Sequence, residues 1–235
     1  MKKLIVGNWK MNPMTREEAR RLASDIKRGA AKARNADLAV CPPFVFARDA
    51  AEIFGRGKVL ICAQDIFWET TSGAHTGEIS GPMLKNLGVK LVLVGHSERR
   101  ALGETDDIVN KKVKSAVKLG LVPIICVGEK ERDSHGYYLG AVKKQTEHAF
   151  AGIPGTMLKN IIVAYEPVWA VGNAGFKTAT SGDAVEMAIF IRKVLADRYG
   201  VERARDIRIL YGGSSNPQNA GGFLSEKEIA GLLIG

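Results

Sequence analysis

VKLVLVGHSERRALGETDDIVNKKVKSAVKLGLVPIICVGE, residues 89–129, holds two short apolar runs with a helix-like stretch between them. The runs VKLVLVGHS (89–97) and LVPIICVGE (121–129) are continuous in their apolar residues. Strands buried on both faces of a parallel sheet read this way, whereas a half-exposed strand alternates. The stretch TDDIVNKKVKSAVKLG (105–120) opens on Thr105, carries Asp106 and Asp107 in its first turn, and stops at Gly120. A hydroxyl cap, early acids and a late glycine are the marks of a helix with both ends defined. The unit is strand, helix, strand.

The same unit recurs on either side. Six more apolar runs are KKLIVGN (2–8), DLAVCPP (37–43), KVLICAQD (58–65), NIIVAYEP (160–167), DIRILYGG (206–213) and AGLLIG (230–235). Helical stretches cover 15–33 and 181–200, the first with the Thr15–Glu18 capping-box spacing, and shorter ones cover 46–55, 80–87, 137–151 and 217–224. Eight β-α units in 235 residues, with no linker or composition shift, predict one (β/α)8 barrel domain over residues 1–235. A doubly wound open sheet is the alternative. It calls for a glycine-rich dinucleotide turn early in the chain, and the first such turn here is GNWKMNP.

Hydrophobic residues are 46% of the chain and charged residues 25%, which excludes disordered and fibrous classes. The formal charge of +9 admits an anionic ligand or nucleic acid without choosing between them. No aromatic-basic stripe suggests nucleic acid, and no window reaches the roughly 18 apolar residues of a membrane span. Cys41, Cys62 and Cys126 lie in or beside apolar runs without paired spacing, so they read as buried free thiols in a reducing, cytoplasmic protein. Neither the histidines nor the cysteines show a metal-ligand spacing, so no metal is expected.

In a β/α barrel, chemistry sits where the strands end. Asn8 and Lys10 follow the first strand, and His96, Ser97 and Glu98 the fourth. Cys126 and Glu129 end the fifth, Glu166, Pro167 and Trp169 the sixth, Gly212, Gly213 and Ser214 the seventh, and Gly235 the eighth. Singly, Lys10 reads as a surface lysine, His96 equally as a structural or a catalytic histidine, and Glu98 or Glu129 as a salt-bridge partner. Glu166 is harder to dismiss, because it directly ends the apolar run IIVAY and a carboxylate is costly to desolvate there. On one rim, a cation, an imidazole, a carboxylate and glycine-rich turns suit acid–base chemistry on an anionic ligand.

NWKMN (8–12), GAHTGEIS (73–80), VGHSERR (94–100), PIICVGE (123–129), AYEPVWAVG (164–172) and YGGSS (211–215) closely resemble the triosephosphate isomerase family, in order along the whole chain. The resemblance implies interconversion of glyceraldehyde 3-phosphate and dihydroxyacetone phosphate in glycolysis and gluconeogenesis, with no cofactor. It implies Glu166 as the base, neutral His96 as the group polarising the carbonyl, and Lys10 as the fixed positive charge. The family pattern makes Asn8 a substrate-binding neighbour, Glu98 the carboxylate orienting Lys10, and Gly172, Ser214 and Gly235 the phosphate-binding amides. A helical turn, SERRALG (97–103), follows His96, and the segment after Pro167 is expected to be a lid over the reacting carbons. A homodimer is implied, formed through the loop containing Thr76, with no nucleic-acid or membrane partner.

Three departures stand out. The lid AVGNAGFKTA carries two residues more than the family usually has, and the loop FWETTSGA one more. The sequence also ends at LLIG, at or just after strand 8, where the family continues into a phosphate-facing turn and a final helix. A barrel ending there is expected to expose Leu232 or Leu233. A phosphosugar aldolase on the same fold needs a Schiff-base lysine inside a strand, and none is evident; Lys10 lies beyond its strand. A defunct barrel acting only as a scaffold is the non-enzymatic alternative.

Overall fold

The computed structural model describes residues 2–170 and 178–235. Eight parallel strands close a barrel in chain order: β1 (Lys3–Asn8), β2 (Ala36–Cys41), β3 (Val59–Ala63), β4 (Leu91–Val94), β5 (Val122–Val127), β6 (Ile162–Tyr165), β7 (Arg208–Tyr211) and β8 (Gly231–Ile234). β8 pairs back onto β1 with Leu4 opposite Gly231 and Val6 opposite Leu233.

Alternate residues divide between two cores, as a two-residue repeat requires. Leu4, Val6, Leu93, Ile124, Ala164, Leu210 and Leu233 fill the barrel. Val92, Val94, Ile125, Val163 and Ile209 face outward into the layer shared with the helices. Both faces are buried, which is why the runs showed no polar alternation. Cys41, Cys62 and Cys126 are free and buried inside the barrel.

The helices begin where their caps place them. α1 (Arg16–Ala30) starts at Thr15, whose hydroxyl accepts from the Glu18 amide while the Glu18 carboxylate accepts from the Thr15 amide. α2 (Phe44–Phe54) is tied to it through Asp49, which accepts from Arg16 at 2.8 Å and Arg20 at 2.5 Å. These guanidinium hydrogen bonds hold the Asp49 carboxyl down at about 2. After α3 (Gly81–Asn86) and the single turn α4 (Ser97–Ala101), α5 (Asp106–Lys118) starts at Thr105, which accepts from the Ile108 amide. α6 (Tyr137–Ala149) precedes α7 (Ser181–Tyr199). The α7 cap is Thr180, one residue before the sequence reading, because Asp183 completes its capping box. α8 (Val201–Arg205) and the 3-10 turns at Gly155–Asn160 and Val168–Ala170 are too short to show a period in sequence. α9 (Ala220–Ser225) completes the set.

The expectation that Leu232 or Leu233 is exposed is not met: they are 1% and 3% exposed. Leu233 points into the barrel beside Leu4 and Val6, and Leu232 joins the outer cluster with Tyr211, Phe223 and Ile229. α9 and its following turn supply that cover.

Candidate active site

The period-two repeat carries two site residues inward from their strands. Leu4 and Val6 lead to Asn8, and Ile162 and Ala164 lead to Glu166. Asn8 Oδ1 accepts from the Lys10 amide at 3.0 Å and from Gln64 Nε2 at 3.3 Å. Gln64 also donates to the carbonyls of Lys10 and Cys41. These bonds hold Lys10 in the left-handed region, at φ 52°. A non-glycine residue there costs roughly 1–3 kcal/mol, so the surrounding contacts must over-determine it. The strained turn directs Lys10 Nζ to Glu98 Oε1, 2.7 Å away.

Glu166 is 2% exposed, and its amide donates to the Val127 carbonyl at 2.8 Å. Its Oε2 accepts from the Ser97 amide at 3.0 Å, while Oε1 lies 3.3 Å from His96 Nε2. Only glycine fits beside this backbone at position 128, since a Cβ there would sit 1.7 Å from the Glu166 carbonyl oxygen. Cys126 lies next to the carboxylate, and burial with the charge of Glu166 pushes its thiol well up, so it stays S–H. His96 caps α4, and its Nδ1 accepts from the Glu98 amide at 3.2 Å. An accepting Nδ1 leaves the proton on Nε2, the nitrogen aimed at Glu166.

Asn8, Lys10, His96, Glu166, Ser214 and Gly235 surround one cavity of about 230 Å³, joined by the backbone of Gly212 and Gly213. Ser214 Oγ donates to the Ala170 carbonyl at 2.7 Å. Glu98 touches the site through its ion pair with Lys10 and through its backbone amide, which donates to His96 Nδ1. Thr76 lies apart, exposed on the loop between β3 and α3. Gly172 and the two added lid residues lie outside the described residues.

Sequence reading missed two groups. Gln64 carries no signal of its own, because its work is to bind Asn8 Oδ1 and the carbonyls of Lys10 and Cys41 through one amide. Glu129, a candidate salt-bridge partner by sequence, instead accepts from Tyr165 Oη and Trp169 Nε1, each at 2.7 Å. Burial first, and then the Glu129 charge, push the Tyr165 hydroxyl up. Deeper, Lys112 bridges Asp65 and Glu104 at 2.7 and 2.9 Å, and Arg99 joins both carboxylates. That network anchors the turn bearing Glu98.

A closed (β/α)8 barrel with a cation, an imidazole and a buried carboxylate over one cavity defines an enzyme of the proton-transferring class. The family model for triosephosphate isomerase matches residues 3–235. The triosephosphate isomerase of Moorella thermoacetica is 45% identical over 235 residues, covering 99% of this chain and 92% of that protein. That of a Thermoanaerobacter species is 45% identical over 234 residues, with the same shares covered. That of Dictyoglomus thermophilum is 41% identical over 236 residues, covering 100% of this chain and 93% of its own length. The chain belongs to the triosephosphate isomerase family. It is an isomerase, and the family's reaction interconverts glyceraldehyde 3-phosphate and dihydroxyacetone phosphate in glycolysis.

Proposed function

We propose that Glu166 is the base that carries the proton between the two carbons of the triose phosphate. The observation that supports this most is the 3.3 Å approach of Glu166 Oε1 to His96 Nε2 over the cavity that Lys10 also lines. A carboxylate can take a proton from one carbon and return it to the next without leaving its place. His96, protonated on Nε2, donates to the carbonyl oxygen as charge develops on it. Lys10 then stabilises the enediolate and the phosphate, with Glu98 fixing its direction. Asn8 holds the lysine turn against substrate. The backbone amides of Gly172, Ser214 and Gly235 take the phosphate.

Glu166→Gln tests this reading, since it keeps shape and removes the basic oxygen. kcat in a coupled isomerase assay should fall by at least about 10²-fold with KM little changed. Near-normal turnover would remove Glu166 from the mechanism.

We also infer a homodimer through the loop containing Thr76. Met11, Phe44, Val45 and Leu102 stand exposed around a second cavity of about 430 Å³ beside Lys10 and Glu98, and Leu102 is 84% exposed. A contiguous apolar patch of this kind marks an interface. The loop that would enter it is self-braced, with the Phe67 amide donating to the Ile79 carbonyl and Phe67 against His75. The β1–β8 pairing supports reading residues 1–235 as one domain. Buried free thiols and a glycolytic substrate support a cytoplasmic setting.

A further inference from the structure

The rim where the strands begin lies opposite the cavity, and every strand is entered from an exposed cation. Lys2 precedes β1, Arg34 β2, Lys58 β3 and Lys90 β4. Lys118, Lys159, Arg205 and Lys227 stand before β5, β6, β7 and β8 in the same way. Lys32 and Arg56 add two more within four residues of a strand start, and the acids in those positions are Asp206 and Glu228. The rim thus holds a formal charge of +8, nearly all of the chain's +9. Over the four residues after each strand the balance reverses: Lys10 and Lys130 meet Asp65, Glu98, Glu129, Glu131 and Glu166.

Helix C-termini favour cations, which accounts for Lys118 and Arg205 in the last turns of α5 and α8. Lys2, Arg34, Lys58, Lys90 and Lys227 lie between elements, beyond that explanation. None of the eight cations makes an ion pair among the described residues, although Arg208–Asp37 and Arg192–Glu228 pair close by. A net positive field of this size remains after the rim's own acids, Asp206 and Glu228, are counted.

The starts of eight parallel strands encircle the barrel, so these charges form a ring. A ring fits a flat anionic surface, whereas a nucleic-acid duplex touches only one arc of it. Leu60 lies inside the ring. It shares the inward side of Cys62, two residues on, yet is 38% exposed at the barrel's open end. An apolar side chain within a cationic ring suits lipid, and among the described residues no exposed aromatic stands on this rim for bases to stack on. We propose that this rim is a peripheral binding face for membranes rich in anionic lipid headgroups. The cavity on the opposite rim then stays open to solvent.

The test is co-sedimentation of the full chain with phosphatidylcholine vesicles, with and without phosphatidylserine, at low and high salt. Binding should require phosphatidylserine and vanish at high salt. Replacing Lys58, Lys90, Lys118 and Lys159 together with Ala should weaken the vesicle partition about fivefold per cation, at least a hundredfold in all. Isomerase activity of that variant should not change, which also verifies its fold. A control with Arg21, Arg48, Lys111 and Lys144 replaced by Ala carries the same net charge and should bind far better. Failure to bind acidic vesicles at low salt, or an equal loss in the control, overturns the proposal. Tighter ring-dependent binding to duplex DNA than to the vesicles also overturns it and assigns the rim to nucleic acid.

Discussion

At the scale of single residues, the chemistry rests on where protons and ammonium groups are held. The Glu98 amide donates to His96 Nδ1, so the imidazole should carry its proton on Nε2 alone at neutral pH. Ring 15N chemical shifts read this directly, and two protonated nitrogens at pH 7 would contradict the hydrogen bond. Gly235 offers a second check. A Cβ there would lie 2.4 Å from Lys10 Cε, close enough to force the lysine aside. Because a lysine stem is flexible, Gly235→Ala should leave the thermal midpoint nearly unchanged. Displacing the ammonium should nevertheless lower kcat/KM about 10- to 100-fold, the worth of a hydrogen bond to a charged group. An unaltered kcat/KM would show that the cation need not sit where Gly235 leaves room for it.

At the scale of elements, the link between α1 and α2 depends on one acid. Asp49 titrates at about 2 in the folded chain against a usual 3.8, so its folded value is depressed. Its contribution to stability is therefore complete above about pH 4 and lost as pH falls through about 2. Asp49→Asn should lower the urea midpoint by a constant amount above pH 4, and the gap should close as pH approaches 2. A gap that stays constant down to pH 2 would mean the guanidinium pairs do not stabilise the helix pair. Elements also show what sequence can reveal. The strands were legible because burial on both faces removes every polar alternation from runs such as LVLV and VPIICV. α1 and α5 were legible from hydroxyl caps and length, and α7 from length, its cap being Thr180 rather than Ser181. α4 followed only from the resemblance, and α8 not at all, because five residues contain little more than one turn. Asn8 and Glu166 were legible as polar residues at the ends of apolar runs, and the structure adds that both take the inward step of the two-residue repeat. Gln64 was not, since what it binds is one side-chain oxygen and two backbone carbonyls, from the end of β1, the turn after it and the end of β2.

At the scale of the whole molecule, the exposed apolar patch beside Lys10 should be covered by a second copy of the chain. Light scattering should give a dimer, and shortening the loop around Thr76 should give monomers with lower kcat, since the patch borders the Lys10–Glu98 pair. A full-length chain that stays monomeric at high concentration would refute the interface. Closure of the barrel has a further consequence, in time rather than space. β1 is synthesised first and β8 last, and their pairing joins the two. A ribosome adding about 5–20 residues per second leaves β1 waiting roughly 10–50 s for its partner. Through that interval the nascent chain presents two unpaired strand edges to its neighbours. The newborn polypeptide thus has two strand edges to shield from pairing with other chains, where the finished barrel has none.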